Sequence, residues 1–359
     1  MKRGLTVLLL AILALASVVV AQDNPFPNPT PAFTVLPQHP QAEESGSPAA
    51  QVTQWNGSFT DLTKVKRTFT MIGTDPSKTN STTTVKVLVI PIKMVFPNQG
   101  NKTFDPAKHK LSNGQTIVQN IVTSPLFKAG IDFKQGATDL GNTQYIDAFQ
   151  RGTWWGIYVK KHPKYHVLLK PTVAPEQTIN CNNSSCTVGS EFGVVVGLED
   201  INDYDNSLQG FMKSLKVTPD ILPLFVIYDT YLTSGGCCIG GYHSANGGQP
   251  GGQTYATATY VDKVGAFSQD VSAFSHEIGE WMDDPFVDNR VGCSDNSILE
   301  VGDPLEGERN YGGYPYKLHG FTYNLQSLVW IPYFGAPKTD SANKWYSFQN
   351  DMSHVCPGQ

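Results

Sequence analysis

Three short apolar runs limit what this chain can fold into. They are Thr84-Val85-Lys86-Val87-Leu88-Val89-Ile90, Phe192-Gly193-Val194-Val195-Val196-Gly197-Leu198 and Ile221-Leu222-Pro223-Leu224-Phe225-Val226-Ile227-Tyr228. The first begins by alternating and then turns apolar on both parities, which suits a buried strand; Pro91 marks an edge, a bulge or its end. The other two read as further core strands. The second lacks the G-x-G-x-x-G order of a nucleotide-binding turn. Stripes at helical spacing accompany them: Tyr145, Phe149 and Trp154; Leu208, Phe211, Met212 and Leu215; Val271, Phe274, Ile278 and Trp281. This mixture predicts an α+β fold, a mixed central sheet carrying an active-site helix. Thr116–Thr123, after the turn signal Asn113-Gly114, fits a short helix or a strand. Trp345, Tyr346 and Phe348 read as a final strand.

The N-terminus has another character. Met1-Lys2-Arg3, an apolar run from Leu5 to Val20 and the exit Val19-Val20-Ala21 predict a signal peptide over residues 1–21 and a secreted or periplasmic protein. The rival is an uncleaved anchor, since the run approaches the lower length limit for a span. No later segment is long and apolar enough to cross a bilayer. Residues 22–54, rich in Pro, Gln and Ser, offer little apolar surface and read as a flexible leader. Residues 55–359 then form a single large domain, or one divided near residue 215 into an N-terminal sheet unit and a C-terminal metal-site unit.

All six cysteines lie beyond residue 21. An even number in an exported chain predicts disulfides; the rival, a thiolate zinc site, lacks the usual ligand spacing. Cys181 and Cys186 bracket a polar loop that they can staple, and Cys356 can tether the tail. Adjacent Cys237 and Cys238 are expected to bond different partners. The formal charge is -5, or -7 once Lys2 and Arg3 are lost, and the densest basic stretch, Lys160–Lys164, is short. A nucleic-acid binder needs a broad positive footprint, so that class is excluded.

The glycine-rich stretch Ser234–Gln253 carries Cys237, Cys238 and His243 and predicts a long, disulfide-restrained loop, either a substrate rim or a surface excursion. After it, Ser268 or Asp270 can cap a helix starting near Val271 and ending before Pro285. His276 and Glu280 stand four residues apart and project from one face about one turn apart, where both can reach one metal. Glu277 follows the first of them, where zinc-binding helices keep a general base.

The segment Ser275-His276-Glu277-Ile278-Gly279-Glu280 resembles the H-E-x-x-H helix of gluzincin-type zinc metallopeptidases, with Glu280 in place of the second histidine. Carboxylates bind zinc, and the added negative charge also admits another divalent metal. The resemblance implies a third ligand at a downstream glutamate, here Glu300, with Asp303 and Asp284 as further metal or outer-sphere residues. The longer string through Asp283-Asp284-Pro285, the run Glu300-Val301-Gly302-Asp303 and the preceding Gly241-Tyr242-His243-Ser244 are similar to secreted exordium-like, or phosphate-induced, proteins and to uncharacterised bacterial ones. That likeness spans residues 225–305 and implies a shared fold and site more than a reaction.

The reading that follows is a secreted zinc-dependent hydrolase, peptidase-like, acting on a peptide or extracellular polymer. His276, Glu280 and Glu300 would hold zinc with one position open to water, and Glu277 would act as base. An oxyanion donor would come from His243, Tyr242, His319 or Arg151. The alternatives are a structural metal closed in by His276, Glu280, Glu300 and Asp303, a site without metal, or a non-catalytic cell-surface binding or structural protein that keeps a metallopeptidase-like fold. The aromatic stretch Gly307–Phe334 either packs a core or lines a sugar-binding surface.

Overall fold

The computed structural model describes residues 26, 28–40, 50–248, 251–293 and 298–358; the expected signal peptide, residues 1–21, lies outside them. In chain order the strands are β1 (Ala32–Val35), β2 (Gln54–Thr60), β3 (Lys66–Ile72), β4 (Thr82–Phe96), β5 (Lys102–Phe104), β6 (Ile131–Gln135), β7 (Thr138–Thr143), β8 (His166–Val173), β9 (Gln177–Asn180), β10 (Thr187–Glu191), β11 (Val194–Asp200), β12 (Ile221–Tyr228), β13 (Thr230–Thr233), β14 (Cys237–Asn246), β15 (Gln253–Tyr260), β16 (Gly313–Leu318) and β17 (Phe321–Gln326). The α-helices are α1 (Ile117–Thr123), α2 (Tyr145–Thr153), α3 (Ile201–Ser214) and α4 (Ser272–Asp283).

The apolar runs become the middle of one sheet, ordered β10-β11-β13-β14-β15-β12-β4-β5, with β1 beside β14 and both β8 and β9 beside β4. Its pairs are parallel at β11–β13, β15–β12, β12–β4 and β4–β8 but antiparallel at β13–β14 and β14–β15, so the sheet is mixed. Pro91 does not end β4. β8 pairs with β4 as far as Val89 and β9 pairs with it from Ile92, so Pro91 falls between the two, while β12 runs along the other side. The proline stands where the strand exchanges neighbours, the place at which a missing N–H disturbs the ladder least. In α1, the Thr116 side chain accepts from the Gln119 backbone while the Gln119 side chain reaches back to Thr116. That reciprocal cap settles the segment as helix despite its β-branched residues.

Several expectations are corrected. The glycine-rich stretch is a loop only toward its ends: its middle, Cys237–Asn246, is β14, an interior strand buried along almost its whole length. Its glycines serve close approach, since a Cβ on Gly241 would lie 2.7 Å from the Glu277 Oε1 atom. Cys237 and Cys238 bond each other, because the remaining four pair as Cys181–Cys186 and Cys293–Cys356. Trp345–Phe348 is not a strand and is held by single backbone bonds, Trp330 N–H to Tyr346 O and Phe348 N–H to Leu328 O. Within the stretch read as a flexible leader, Ala32–Val35 adds to the sheet as β1 and buries Phe33. One aromatic ring supplies the apolar surface that composition alone had discounted.

Side chains alternate across β14, so Tyr242 and His243 point to opposite faces. Tyr242 donates to Asp205 of α3, and Tyr255 of β15 does the same. His243 faces α4, which packs on β14 and β15 and is flanked by β17, β3 and α2. The sheet is thus covered on both faces here, and no helix among the described residues is long and apolar enough to cross a membrane.

Glu199 in β11 is buried, and its carboxyl is pushed up to about 8 by that burial and by Asp203 and Asp200. An unfolded glutamate titrates at 4.5, so the folded state holds the extra proton between that pH and about 8. The resulting stabilisation is complete below the lower value and is lost as pH rises through the upper one. Glu199→Gln preserves the uncharged form, so thermal melts of the variant should fall less between about pH 5 and 8 than those of the parent, by at most about 1.4 kcal/mol per pH unit.

Candidate metal centre

Every residue of α4 is buried, so the polar stripe of this helix has no water to meet. Its start is tied down by Asp270, whose carboxylate accepts from the Val271 and Asn324 backbones; Ser268 does not cap it. The stripe points instead into a gap closed by β14 and by the Glu300–Asp303 run. His276 Nε2 lies 3.0 Å from Glu280 Oε1 and 3.4 Å from Asp303 Oδ1. His243 Nδ1 lies 3.6 Å from Glu277 Oε2 and 3.8 Å from Glu280 Oε2. The two oxygens of Glu280 therefore face two different imidazoles.

The outer nitrogens decide what the inner ones can do. Gln326 donates its amide N–H to Gly302 O at 3.1 Å, which leaves its carbonyl oxygen to accept from His276 Nδ1 at 2.7 Å. His243 Nε2 donates to the Asp284 backbone oxygen at 3.1 Å. Each ring thus has its outer nitrogen committed as a donor and its inner nitrogen left for a proton or a cation, the arrangement in which histidines hold metals. Gly302 makes room for this, since a Cβ there would sit 2.3 Å from His276 Nδ1; its N–H donates to Glu280 Oε1 at 3.0 Å. Phe33 covers the opposite side of the ring, its centroid 3.8 Å away at 28°.

What the inner atoms face is negative charge. His243 Nδ1, His276 Nε2, both oxygens of Glu277 and Oε1 of Glu300 have no hydrogen-bond donor, and all four residues are almost entirely inaccessible. Orphaned polar atoms in a place without water are costly. Burial opposes charge on Glu280, yet His276 beside it holds its carboxyl down at about 2. Burial opposes charge on His276 as well, and Glu280 with Asp303 outweighs it and raises the imidazole well above its usual range. Burial drives Glu277 upward with Glu280 adding to it, and does the same for Glu300, again with Glu280. His243 is lowered to about 4 by burial. Without a cation, protons must therefore supply the positive charge that the carboxylates require. A divalent ion would replace them.

The donor set fits such an ion. His243, Glu280 and Glu300 place ligand atoms within 4.8 Å of one another, and so do His276, Glu277 and Glu280. Donors about 2.0–2.2 Å from a tetrahedral zinc stand about 3.3–3.6 Å apart, so either triad would draw together slightly to bind one. Glu280 belongs to both. The other groupings, Cys181 and Cys186 with Glu199, and Cys237 and Cys238 with Glu191, involve sulfurs already tied in disulfides.

Known protein families, curated proteins and solved structures contain no match to this chain. The likeness to exordium-like proteins and gluzincin-type peptidases rests on the motif residues alone.

The sequence-derived residues separate cleanly. His276, Glu277, Glu280, Glu300 and Asp303 converge, and His243, expected as an oxyanion donor, joins the same buried cluster. Asp284 stands behind: its carboxylate accepts from the Asp288 and Asn289 backbones, and its carbonyl orients His243. Tyr242 points away to Asp205. Arg151 is spent on the backbone oxygens of Leu140 and Pro163, and of Tyr165. His319 is an exposed residue with positive φ at the β16–β17 turn. Tyr242 and Arg151 are committed to other partners and His319 lies at the surface. Gln326 and Phe33 went unrecognised. A lone glutamine in an aromatic hairpin and a phenylalanine among prolines carry no pattern that points to a site.

Gln326 yields a sharp expectation. Gln326→Ala removes the group that orients His276, and loss of such an outer partner should weaken divalent-metal affinity roughly 10–100-fold. Competitive titration with a metallochromic chelator measures it; an unchanged affinity would mean that His276 does not bind the ion.

Proposed function

We propose that this chain is an extracytoplasmic hydrolase that uses a divalent cation, zinc by its nitrogen and oxygen donors, with peptide bonds as the leading substrate. The observation that carries the reading is the pair of imidazoles with outer nitrogens hydrogen-bonded and inner nitrogens turned only toward carboxylates. Three disulfides suit an oxidising compartment. The order His276-Glu277 followed by Glu280 and then Glu300 supports a gluzincin-like arrangement of roles.

His276, Glu280 and Glu300 are the proposed holders of the ion, with His243 added to them. A bound cation would supply Lewis acidity, polarising an acyl carbonyl and lowering the pKa of water. Glu277 is the proposed proton carrier. Both its oxygens lack a donor; burial raises its carboxyl well above the usual range in the ion-free site, and with a cation bound it would return to the carboxylate form that accepts a proton. It would take a proton as water oxygen adds to the carbonyl carbon, and return it to the nitrogen as the C–N bond breaks. Asp303, whose side chain is 35% exposed, lies at the rim and offers a contact to arriving substrate.

A closed structural ion is the competing reading, favoured by the burial of all the holders. Glu277→Gln separates the two. It should lower kcat on unstructured peptides by about 10²–10⁴-fold while metal content and Tm stay as in the parent. Equal turnover in the variant would remove Glu277 from the chemistry, and loss of metal would make it a holder instead.

A further inference from the structure

The edge of β14 beside the cluster is occupied in an unusual way. β15 pairs with Gly241–Asn246 of β14 along one side, and along the other side no named strand except β1 pairs with Tyr242 and His243 among the described residues. β1 lies there as a parallel strand, with Ala32 opposite Ile239, Thr34 opposite Tyr242 and Val35 opposite His243. Backbone bonds secure both ends: Thr30 exchanges two with Cys237 and Cys238, while His39 donates to Ala245 and accepts from Gly247. An open strand edge is a template for an extended chain.

This strand also touches the chemistry. The Phe33 ring lies on His276, and its backbone N–H bonds Glu306, a carboxylate beside the cluster. With the strand in place the holders and Glu277 are at most 2% exposed, so nothing the size of a substrate reaches them. What the strand presents to His276 is a ring. Its ladder is interrupted twice, by Pro31 between Thr30 and Ala32 and by Pro37 between Val35 and His39. Beyond the pairing it is held by peripheral contacts: Gln38 to the Phe286 carbonyl, half-exposed His39 to Asp205 at 2.7 Å, and Ser244 to the Leu36 carbonyl at 3.0 Å.

We propose that the channel between the β14 edge and α4 receives an extended polypeptide with an aromatic side chain over His276, and that residues 30–39 occupy it as an internal competitor. The fate of the guest rests on the hydrolase reading; its binding does not. A guest not interrupted by proline makes more ladder bonds than β1 does and displaces it.

The test uses the full chain, its Phe33→Ala variant and the double variant Gln38→Ala/His39→Ala, which loosens the strand without emptying the core. The probe is a labelled synthetic peptide of residues 30–39, followed by fluorescence anisotropy, with a second peptide carrying Phe33→Ala as control. Vacating the channel removes the competition, so both variants should bind the first peptide at least about ten-fold more tightly than the parent, and the control peptide weakly. Metal extraction by chelator should accelerate by a similar factor. Folded variants that bind the peptide no better than the parent would overturn the proposal and make β1 a permanent strand. If Phe33→Ala does not fold, the double variant decides. Variants that bind the peptide yet cleave neither it nor an unstructured protein would uphold the channel and sink the hydrolase.

Discussion

One carboxylate facing two imidazoles where water cannot go is the constraint around which this molecule is arranged. Glu280 is buried with His276 on one oxygen and His243 toward the other. A charged group in that position destabilises the fold unless positive charge answers it. The surrounding choices follow. Gln326 and the Asp284 carbonyl fix which nitrogen of each ring carries hydrogen, and Gly241 and Gly302 let backbone come within contact of Glu277 and His276. Charge of this kind is weak evidence for stability and better evidence for a resident ion.

The sheet explains how residues far apart in sequence meet. β14 brings His243 to α4 because it runs between β13 and β15, and β17 brings Gln326 to the same helix from the other side. The Glu300–Asp303 run is tied down from its own end, with Val329 N–H donating to Val301 O. Three separate segments therefore frame one turn of helix. The frame leaves the cluster closed on these sides, with β1 on the remaining one.

The helix and its outward acidic partners were legible in the sequence because their geometry is local. A four-residue spacing fixes a shared face whatever the rest of the chain does, and the apolar runs β4, β11 and β12 announce burial by composition. β14 was not legible. Its glycines signal a loop when read singly, and only the approach of Glu277 shows why a strand should lack side chains there. Tyr242 and His243 illustrate the same limit, since adjacent residues of a strand serve opposite faces and sequence does not say which face holds the site. Phe33 was hidden for another reason: pairing with an open edge draws on the partner strand's unsatisfied backbone, a property of the assembled sheet and not of residues 32–35.

The Cys293–Cys356 bridge spans 63 residues and joins the stretch leading into Glu300 to the very tail of the chain, where Cys356 N–H is also bonded to Tyr333 O. Closing so long a loop removes much of the freedom that Glu300 and Asp303 would otherwise lose on meeting an ion. Under the proposed function, oxidation of this pair would come before metal capture: a polypeptide whose thiols are still reduced would hold the ion poorly, and sealing this ring would ready it for loading. Maturation would then have a direction, with the redox state of the surroundings setting when the centre is completed.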